Sequence, residues 1–315
     1  MNVETQGDFG PISGSAPKFA GTHSPDVETE RKAREIRERV MAEIERLGLR
    51  HHIADLEIDG YTILPPETVG PREFFETLRD ETLRLLEEET GFYDIDIRPD
   101  RINTESGPFG QAKFSAWLLN RGPVFEQALM NEPALAILSY LLGESCRLQS
   151  MIALNKGPGD DYMLLHTDNN HSAQPVAFPA LAEHANATWI LSDYTEELGS
   201  TAIVAGSHKL GRAPTAHEAR DITLFKPIEA RAGSILIHHG NVWHGSVPRR
   251  RRGYRTSIVM TFCRWYGYMR EQIHEMLEPE VFDRNPERFS YLTGKRRIDE
   301  YGSERNRTAI LSPFG

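Results

Sequence analysis

From residue 146 onward the chain consists of short segments with a strong preference for β-strands. They are rich in Ile, Val, Leu, Thr and aromatic residues, and Gly, Pro or Asn separates one from the next. The segments are 146–155, 161–168, 187–194, 200–206, 222–230, 233–240 and 254–262. Together with a short strand around His244, they give seven or eight strands in about 120 residues. This density of short strands predicts an antiparallel sandwich or barrel.

The earlier part of the chain has a helical pattern instead. Apolar residues at steps of three and four predict a charged helix over 26–48 and a second helix over 71–90, with a short strand over 58–65 between them. A third helical stretch, 123–142, is interrupted at Pro133. The predicted fold class is therefore mainly β with flanking helices.

The remaining segments set the domain organisation. Residues 1–24 are rich in Gly, Ser, Pro and Thr, which predicts a flexible arm. No linker divides the rest, so we predict a single domain over 25–315. Its parts are a helical N-terminal part at 25–143, a β core at about 146–264 and a helical C-terminal part at 265–315.

Charge and cysteine content argue against several classes of protein. The 315 residues include 46 Asp and Glu against 36 Lys and Arg, and this net charge of −10 argues against nucleic acid as the main partner. Two cysteines do not staple a secreted scaffold, and they favour a reduced, cytoplasmic setting. The sequence has neither a signal-peptide pattern at its start nor an apolar run of membrane-spanning length, so we expect no membrane association.

One pair of polar residues ends an apolar strand in the β region. His166 and Asp168 stand at i and i+2 in the segment LLHTDNN. Side chains two residues apart on a strand point to the same face, so an imidazole and a carboxylate are expected to converge there. The spacing predicts two ligands of a metal ion.

A third ligand is expected from a histidine about 80 residues further on. His244 lies on a short strand, and His238 and His239 on the preceding strand are its rivals. Two imidazoles and one carboxylate form the facial triad of non-haem Fe(II) oxygenases, which leaves three positions on the metal open. Zinc hydrolases use the same types of ligand.

An arginine near the triad distinguishes between these chemistries. Arg255 follows His244 by eleven residues and opens the next strand, with Ser257 two residues further on the same face. An arginine fork beside a hydroxyl group suits a carboxylate. A metal triad together with a carboxylate clamp predicts a co-substrate that reaches both, as a 2-oxo acid does.

These residues and several short motifs resemble the phytanoyl-CoA dioxygenase (PhyH) family of Fe(II)/2-oxoglutarate-dependent oxygenases. The matching motifs are GYTILP (60–65), HTD (166–168), WILSD (189–193), GSTAIVAGSH (199–208), AGS (232–234), HGS (244–246) and RTS (255–257). The resemblance covers about half of the chain. It implies a double-stranded β-helix core, which is a cupin-like jelly roll.

The resemblance also implies the cofactors and the reaction. His166, Asp168 and His244 would hold Fe(II). O2 and 2-oxoglutarate would be converted into succinate and CO2 while a C–H bond of the substrate is oxidised. Halogenases similar to this family have a small residue at the position of Asp168, so hydroxylation is the expected outcome, with desaturation and rearrangement left open.

Five further residues are assigned to 2-oxoglutarate on the same resemblance. Arg255 is expected to pair with its distal carboxylate, with help from Ser257. Trp189 matches a position that lies against the co-substrate in some members, although the sequence alone fits core packing equally well. Gln149, on the strand before the HTD motif, and Lys113, further upstream, are expected near the same cavity.

The substrate is expected to be a small organic molecule, such as a metabolite of a secondary pathway. The long loop 169–186 is a candidate lid or substrate wall. An acyl-CoA ester is the alternative within the family, and Arg249–Arg252 would then hold its phosphates. A metal-dependent isomerase or hydrolase and a non-catalytic binding protein also remain open. The apolar stripe of the 26–48 helix would provide the contact if the protein forms a homodimer.

Overall fold

The computed structural model describes residues 27–91, 113–158, 162–168 and 177–296. The predicted arm at 1–24 lies outside the described residues. The same holds for 297–315, which is the end of the predicted helical C-terminal part.

Nine strands in the described part of the chain form two antiparallel sheets. The strands are β1 (Tyr61–Leu64), β2 (Lys113–Ser115), β3 (Arg147–Lys156), β4 (Met163–His166), β5 (His184–Ile190), β6 (Thr201–Val204), β7 (Ile235–His239), β8 (Trp243–Ser246) and β9 (Arg255–Cys263). The larger sheet has the order β1-β7-β5-β9-β3-β2, and the smaller one has the order β4-β8-β6. Residues from both sheets line one cavity, so the sheets face each other. The predicted jelly-roll core is confirmed.

Helices cover the outer face of the larger sheet. They are α1 (Val27–Arg46), α2 (Arg50–Asp59), α3 (Pro66–Val69), α4 (Arg72–Thr90), α5 (Pro123–Leu129), α6 (Glu132–Leu142), α7 (Ile273–Met276), α8 (Pro279–Arg284) and α9 (Glu287–Leu292). Leu78, Phe125 and Leu138 from these helices share one apolar core with Ala187 and Met260 of the sheet. None of the helices within the described ranges is long and apolar enough to cross a lipid bilayer.

The two faces of the larger sheet differ in chemistry, as strand β9 illustrates. Its residues Ile258, Met260 and Phe262 are buried in the core shared with the helices. The alternate residues line the cavity and are Arg255, Ser257, Val259 and Thr261. Successive side chains of a strand point to opposite faces. The sequence RTSIVMTFC therefore places most of its polar groups in the cavity and most of its apolar groups in the core.

The helical region differs from the prediction at two points. The stretch 123–142 is divided at residues 130–131, not at Pro133. Asn131 caps α6 by accepting a hydrogen bond from the Ala134 N–H at 3.2 Å. Pro133 lies in the first turn of α6, where backbone N–H groups have no partner within the helix, so the missing N–H of proline costs no helical hydrogen bond. Helix α2 is not predicted from the sequence, because RHHIADLEID has only a weak apolar periodicity.

The predicted strand at 222–230 is wrong. Ile222–Leu224 forms a 3-10 turn, and an isolated bridge pairs Pro227 with Ala202 of β6. Proline has no N–H to donate to a ladder, so this apolar segment follows the edge of the sheet without joining it as a regular strand.

Candidate metal centre and carboxylate-binding cavity

The cavity between the two sheets contains the predicted triad and the predicted arginine. Its walls include His166, Asp168 and His244, and also Arg255 and Ser257. Its volume is about 670 Å³, within the usual range for sites that bind small molecules. Side chains that are far apart in sequence thus meet in a space large enough for a ligand.

Strand pairing places the triad. His166 on β4 is the register partner of His244 on β8, and the centroids of the two rings lie 4.3 Å apart. Asp168 lies beyond the end of β4, and its N–H donates to the Gly240 carbonyl at 3.1 Å. The ligand atoms of the three residues all lie within 4.8 Å of one another. The expected convergence is present, although Asp168 reaches the site from a bend and not from the strand itself.

Each imidazole of the triad is oriented by a carbonyl of its own strand segment. The Nδ1 of His166 lies 2.9 Å from the Leu164 carbonyl, and the Nδ1 of His244 lies 3.2 Å from the Val242 carbonyl. A carbonyl only accepts, so each Nδ1 carries the proton. In a neutral ring this leaves the lone pair on Nε2, as is common for histidines that ligate metals.

Burial and neighbouring charges shift the pKa values of two of these residues, His244 and Asp168. Burial lowers the pKa of His244, although the charge of Asp168 acts in the opposite direction. Burial alone would raise the pKa of Asp168, but the three neighbouring imidazoles and the Asn186 amide together lower it. Neutral imidazoles and an ionised carboxylate are the forms that bind a divalent metal ion.

The two rival histidines on β7 do not belong to this set of ligand atoms. His238 lies beside His244, with ring centroids 4.5 Å apart, but its Nε2 is 3.2 Å from the side-chain nitrogen of Asn186. His239 is not among the cavity-lining residues, and its Nδ1 accepts from the N–H of Asn241 at 3.0 Å. These contacts favour His244 as the third ligand.

Arg255 is a buried cation in the cavity wall. Only 1% of its surface is exposed. Its Nη1 donates to the Gly199 carbonyl at 3.1 Å, and its guanidinium lies 5.0 Å from the centroid of the Tyr194 ring. Its Nε is buried, and among the described residues it has neither a hydrogen-bond partner nor a carboxylate that pairs with it. A buried guanidinium in this condition suits an incoming anion.

Two further polar side chains lie near Arg255 that sequence reasoning missed. Lys156 is its register partner on β3, is almost fully buried, and donates from Nζ to the Ser246 Oγ at 2.8 Å. Ser246 follows His244 by two residues on β8, so the same spacing rule that we applied to Ser257 could have identified it. Ser257 itself lines the cavity and donates to the Leu154 carbonyl at 3.4 Å.

Trp189 does not contact the cavity, and the expected contact with the co-substrate is corrected. Its indole is fully buried on the helical side, where Nε1 donates to the Ala128 carbonyl at 3.2 Å and the ring meets Phe74. Asn186 and Thr188 of the same strand line the cavity instead. Trp189 follows Thr188 directly, so alternation turns it to the opposite face.

Gln149 is also absent from the cavity wall. It is the extra residue at an irregularity of the β3–β9 register, and its Nε2 donates to the Tyr268 carbonyl at 2.5 Å. Beyond this point Ser150 and Ile152 line the cavity. A β-bulge shifts the alternation of a strand by one residue, and the sequence pattern gave no sign of it.

Two predictions fall on residues that the structure describes only in part. Lys113 begins β2, but its side chain lies outside the described part of the structure. The long loop 169–186 is described from residue 177 onward, and its last three residues belong to β5. Neither assignment gains support from a contact.

Two arginines of the run after β8, Arg249 and Arg251, already have partners within the chain. Arg249 is 2% exposed and donates to the carbonyls of Gly253 at 3.0 Å and Arg252 at 2.6 Å, which closes the turn. Arg251 is exposed and pairs with Glu197 at 2.9 Å. The phosphate contact suggested for an acyl-CoA ester is therefore corrected for Arg249, because carbonyls of the chain already bind its guanidinium.

Comparisons with known proteins agree with this geometry. A family model described as phytanoyl-CoA dioxygenase (PhyH) matches residues 56–257. The dioxygenase af480 of Aspergillus fumigatus is 27% identical over 167 residues, which are 49% of this chain and 52% of that protein. The chain thus spans about half the length of this curated relative.

Solved structures support the same fold. The structure of HygX from Streptomyces hygroscopicus with nickel and 2-oxoglutarate bound has a TM-score of 0.53 and 17% identity, and the match covers 70% of this chain and 88% of HygX. The 2-oxoglutarate-dependent carbocyclase SnoK from nogalamycin biosynthesis has a TM-score of 0.53 and 19% identity, over 73% of this chain and 91% of SnoK. At these identities the likeness concerns the fold. Since the family model matches well over half of its residues, the chain belongs to the phytanoyl-CoA dioxygenase (PhyH) family.

Proposed function

We propose that this protein is an Fe(II)/2-oxoglutarate-dependent dioxygenase that hydroxylates a C–H bond of a small organic molecule. Succinate and CO2 would be the products from 2-oxoglutarate. The observation that carries the proposal is the presence, in one cavity, of a two-histidine, one-carboxylate cluster and a buried arginine that has no carboxylate partner among the described residues.

The residues of the cavity fit both implied groups. His166, Asp168 and His244 offer two nitrogen atoms and one oxygen atom within 4.8 Å of one another, which is the donor set of non-haem Fe(II) sites. Arg255 offers a buried Nε for which the described part of the chain provides no acceptor. The triad and this guanidinium line the same cavity, so a dicarboxylic 2-oxo acid would contact both of them there.

The chain contributes geometry, charge and exclusion of water. Ferrous iron together with 2-oxoglutarate supplies the activation of O2 and the oxidation of an unactivated C–H bond. Arg255 neutralises and orients the distal carboxylate of the co-substrate. The backbone carbonyls that hold the Nδ1 protons of His166 and His244 keep both Nε2 lone pairs available. Apolar wall residues such as Ile152 and Val259 would limit water around the reacting carbon.

A solved relative and the arginine turn bear on the substrate class and on the type of reaction. The solved relative SnoK is described as a carbocyclase from nogalamycin biosynthesis, which supports a metabolite substrate and keeps rearrangement open. The acyl-CoA alternative loses one of its suggested phosphate contacts, since Arg249 is bound within its own turn. A cytoplasmic location and a homodimer stay predictions, which cell fractionation and light scattering would test.

The test is the release of succinate in the absence of an added substrate. Purified protein with Fe(II), 2-oxoglutarate and O2 should release succinate slowly, and anaerobic samples should release none. H166A should abolish the release. H217A, which changes an exposed histidine outside the cavity, should leave it unchanged. If the wild-type protein produces no succinate beyond the metal-only background, or if H166A retains the rate, the proposed function is wrong.

A further inference from the structure

Two buried polar residues stand next to the triad without belonging to it. Asn186 on β5 and His238 on β7 are register partners, and both line the cavity. Asn186 is 4% exposed and His238 is 3% exposed. The neighbouring positions Ala187 and Ile237 belong to the apolar core on the other face. Packing alone therefore does not explain a polar pair on the cavity face of the sheet.

The hydrogen bonds of Asn186 can be assigned without ambiguity. Its Nδ2 donates to the Oδ2 of Asp168 and lies 3.2 Å from the Nε2 of His238. An ionised carboxylate only accepts, so the nitrogen and not the oxygen of the amide must face Asp168. The second hydrogen of the same nitrogen is directed to His238, whose Nε2 must then be unprotonated.

His238 is oriented in turn by the backbone. Its Nδ1 lies 3.4 Å from the carbonyl of His239, which can only accept, so the proton belongs on Nδ1. This leaves one tautomer of the ring, with its lone pair toward Asn186. The order of donation is therefore from His238 Nδ1 to the backbone and from Asn186 to both His238 and Asp168.

The amide oxygen of Asn186 is left without a hydrogen bond in this arrangement. Oδ1 is buried and accepts no hydrogen bond from any described residue. An amide selected only for stability in the core would satisfy both of its ends, since an unpaired buried acceptor is unfavourable. The amide is therefore oriented so that its nitrogen donates to Asp168, although its oxygen then has no donor among the described residues.

We propose that Asn186 is a positioning residue that fixes the carboxylate of Asp168 for metal binding, and that His238 holds Asn186 in place. The inference rests on the proposed function, because it takes Asp168 as a metal ligand. Neither residue needs to touch the metal or the substrate. Ligating carboxylates in metal sites are commonly held by such outer hydrogen bonds, and losing one typically weakens metal binding by about 10–100-fold.

The experiment measures binding of Co(II) alone to the apo protein, by calorimetric titration and by the visible spectrum of the bound ion. N186A should raise the Co(II) dissociation constant by at least about tenfold. H238L removes the ring nitrogen that accepts from Asn186, and it should raise the Co(II) dissociation constant by a smaller factor than N186A does. H238Q offers a side-chain carbonyl of similar reach and should restore most of the affinity. H239Q is the matched control, since the neighbouring buried histidine does not line the cavity, and its affinity should match wild type.

A double-mutant cycle tests whether the two residues act in one chain. In the N186A background H238L should cause no further loss of Co(II) affinity, because the bond that it disrupts is already absent. Additive losses, or an N186A affinity equal to that of wild type, would overturn the inference. If N186A does not fold, equal affinities of H238L and H238Q overturn it as well. Failure of the wild-type protein to bind Co(II) would instead refute the proposed function.

Discussion

Replacement of Arg255 by methionine separates a binding role from a structural role. The guanidinium is 1% exposed, and we assign it to the distal carboxylate of 2-oxoglutarate. Removing one partner of a buried ion pair leaves the other charge uncompensated and costs about 3–5 kcal/mol. At about 1.4 kcal/mol per factor of ten, R255M should weaken 2-oxoglutarate binding by at least about 10²-fold.

The same variant should leave the stability of the protein without 2-oxoglutarate nearly unchanged or raise it. R255M loses the hydrogen bond to the Gly199 carbonyl and the contact with the Tyr194 ring. It also removes a buried cation whose Nε finds no acceptor within the described ranges, and replacing buried charges by apolar groups of similar volume is often neutral or stabilising. These effects oppose each other, so a change within about 1–2 kcal/mol is expected.

Urea denaturation of the Co(II)-loaded protein, with and without 2-oxoglutarate, measures both effects. At a ligand concentration of about 100 times the wild-type Kd, 2-oxoglutarate should stabilise the wild-type protein by about 2.7 kcal/mol. R255M should gain at most about 0.4 kcal/mol at the same concentration. R251A changes an exposed arginine in the turn that precedes β9 and should behave as wild type. A large loss of stability in R255M without ligand, together with normal stabilisation by 2-oxoglutarate, would refute the assignment.

Two further predictions concern stability. Burial, followed by the charges of His208 and Arg264, lowers the pKa of His239 to about 4. In the unfolded chain this histidine binds a proton near pH 6.5, whereas in the folded protein it does so only near pH 4. The free energy of unfolding therefore falls as the pH drops from about 6.5 to about 4. H239Q should reduce that slope by up to about 1.4 kcal/mol per pH unit in urea titrations, and an unchanged slope would contradict the reasoning. The carboxylate of Glu126 is 3% exposed and accepts hydrogen bonds from Arg284 at 3.0 Å and from Asn285 at 2.6 Å. E126Q should lower the unfolding free energy by about 2 kcal/mol. This loss is smaller than the loss expected for a fully buried ion pair, because Arg284 is half exposed. E287Q, which disrupts a solvent-exposed pair with Arg296, should lower the unfolding free energy much less than E126Q does, and equal losses in the two variants would show that burial does not decide the effect.

The sequence was informative where a single strand carries its own pattern. The segment RTSIVMTFC alternates, so its polar residues and the place of Arg255 could be anticipated. The segment HANATWI of β5 is buried on both faces and does not alternate clearly between polar and apolar residues. Such a segment does not show which of its residues face the cavity and which face the core. The assignment of Trp189 to the cavity therefore rests on the family resemblance alone, and no pattern in the segment points to Asn186, which lines the cavity.

Strand β4 contains an irregularity that hydropathy does not encode. Met163 of β4 pairs with Ser246, whereas His166, three residues later, pairs with His244, only two residues earlier. The strand thus carries one extra residue, and Met163 and His166 both line the cavity although they are three positions apart. In a regular strand, side chains three positions apart point to opposite faces. Alternation counted back from the HTD motif would therefore turn Met163 away from the cavity, and the bulge in β4 adds an apolar side chain to the cavity wall that the sequence does not predict.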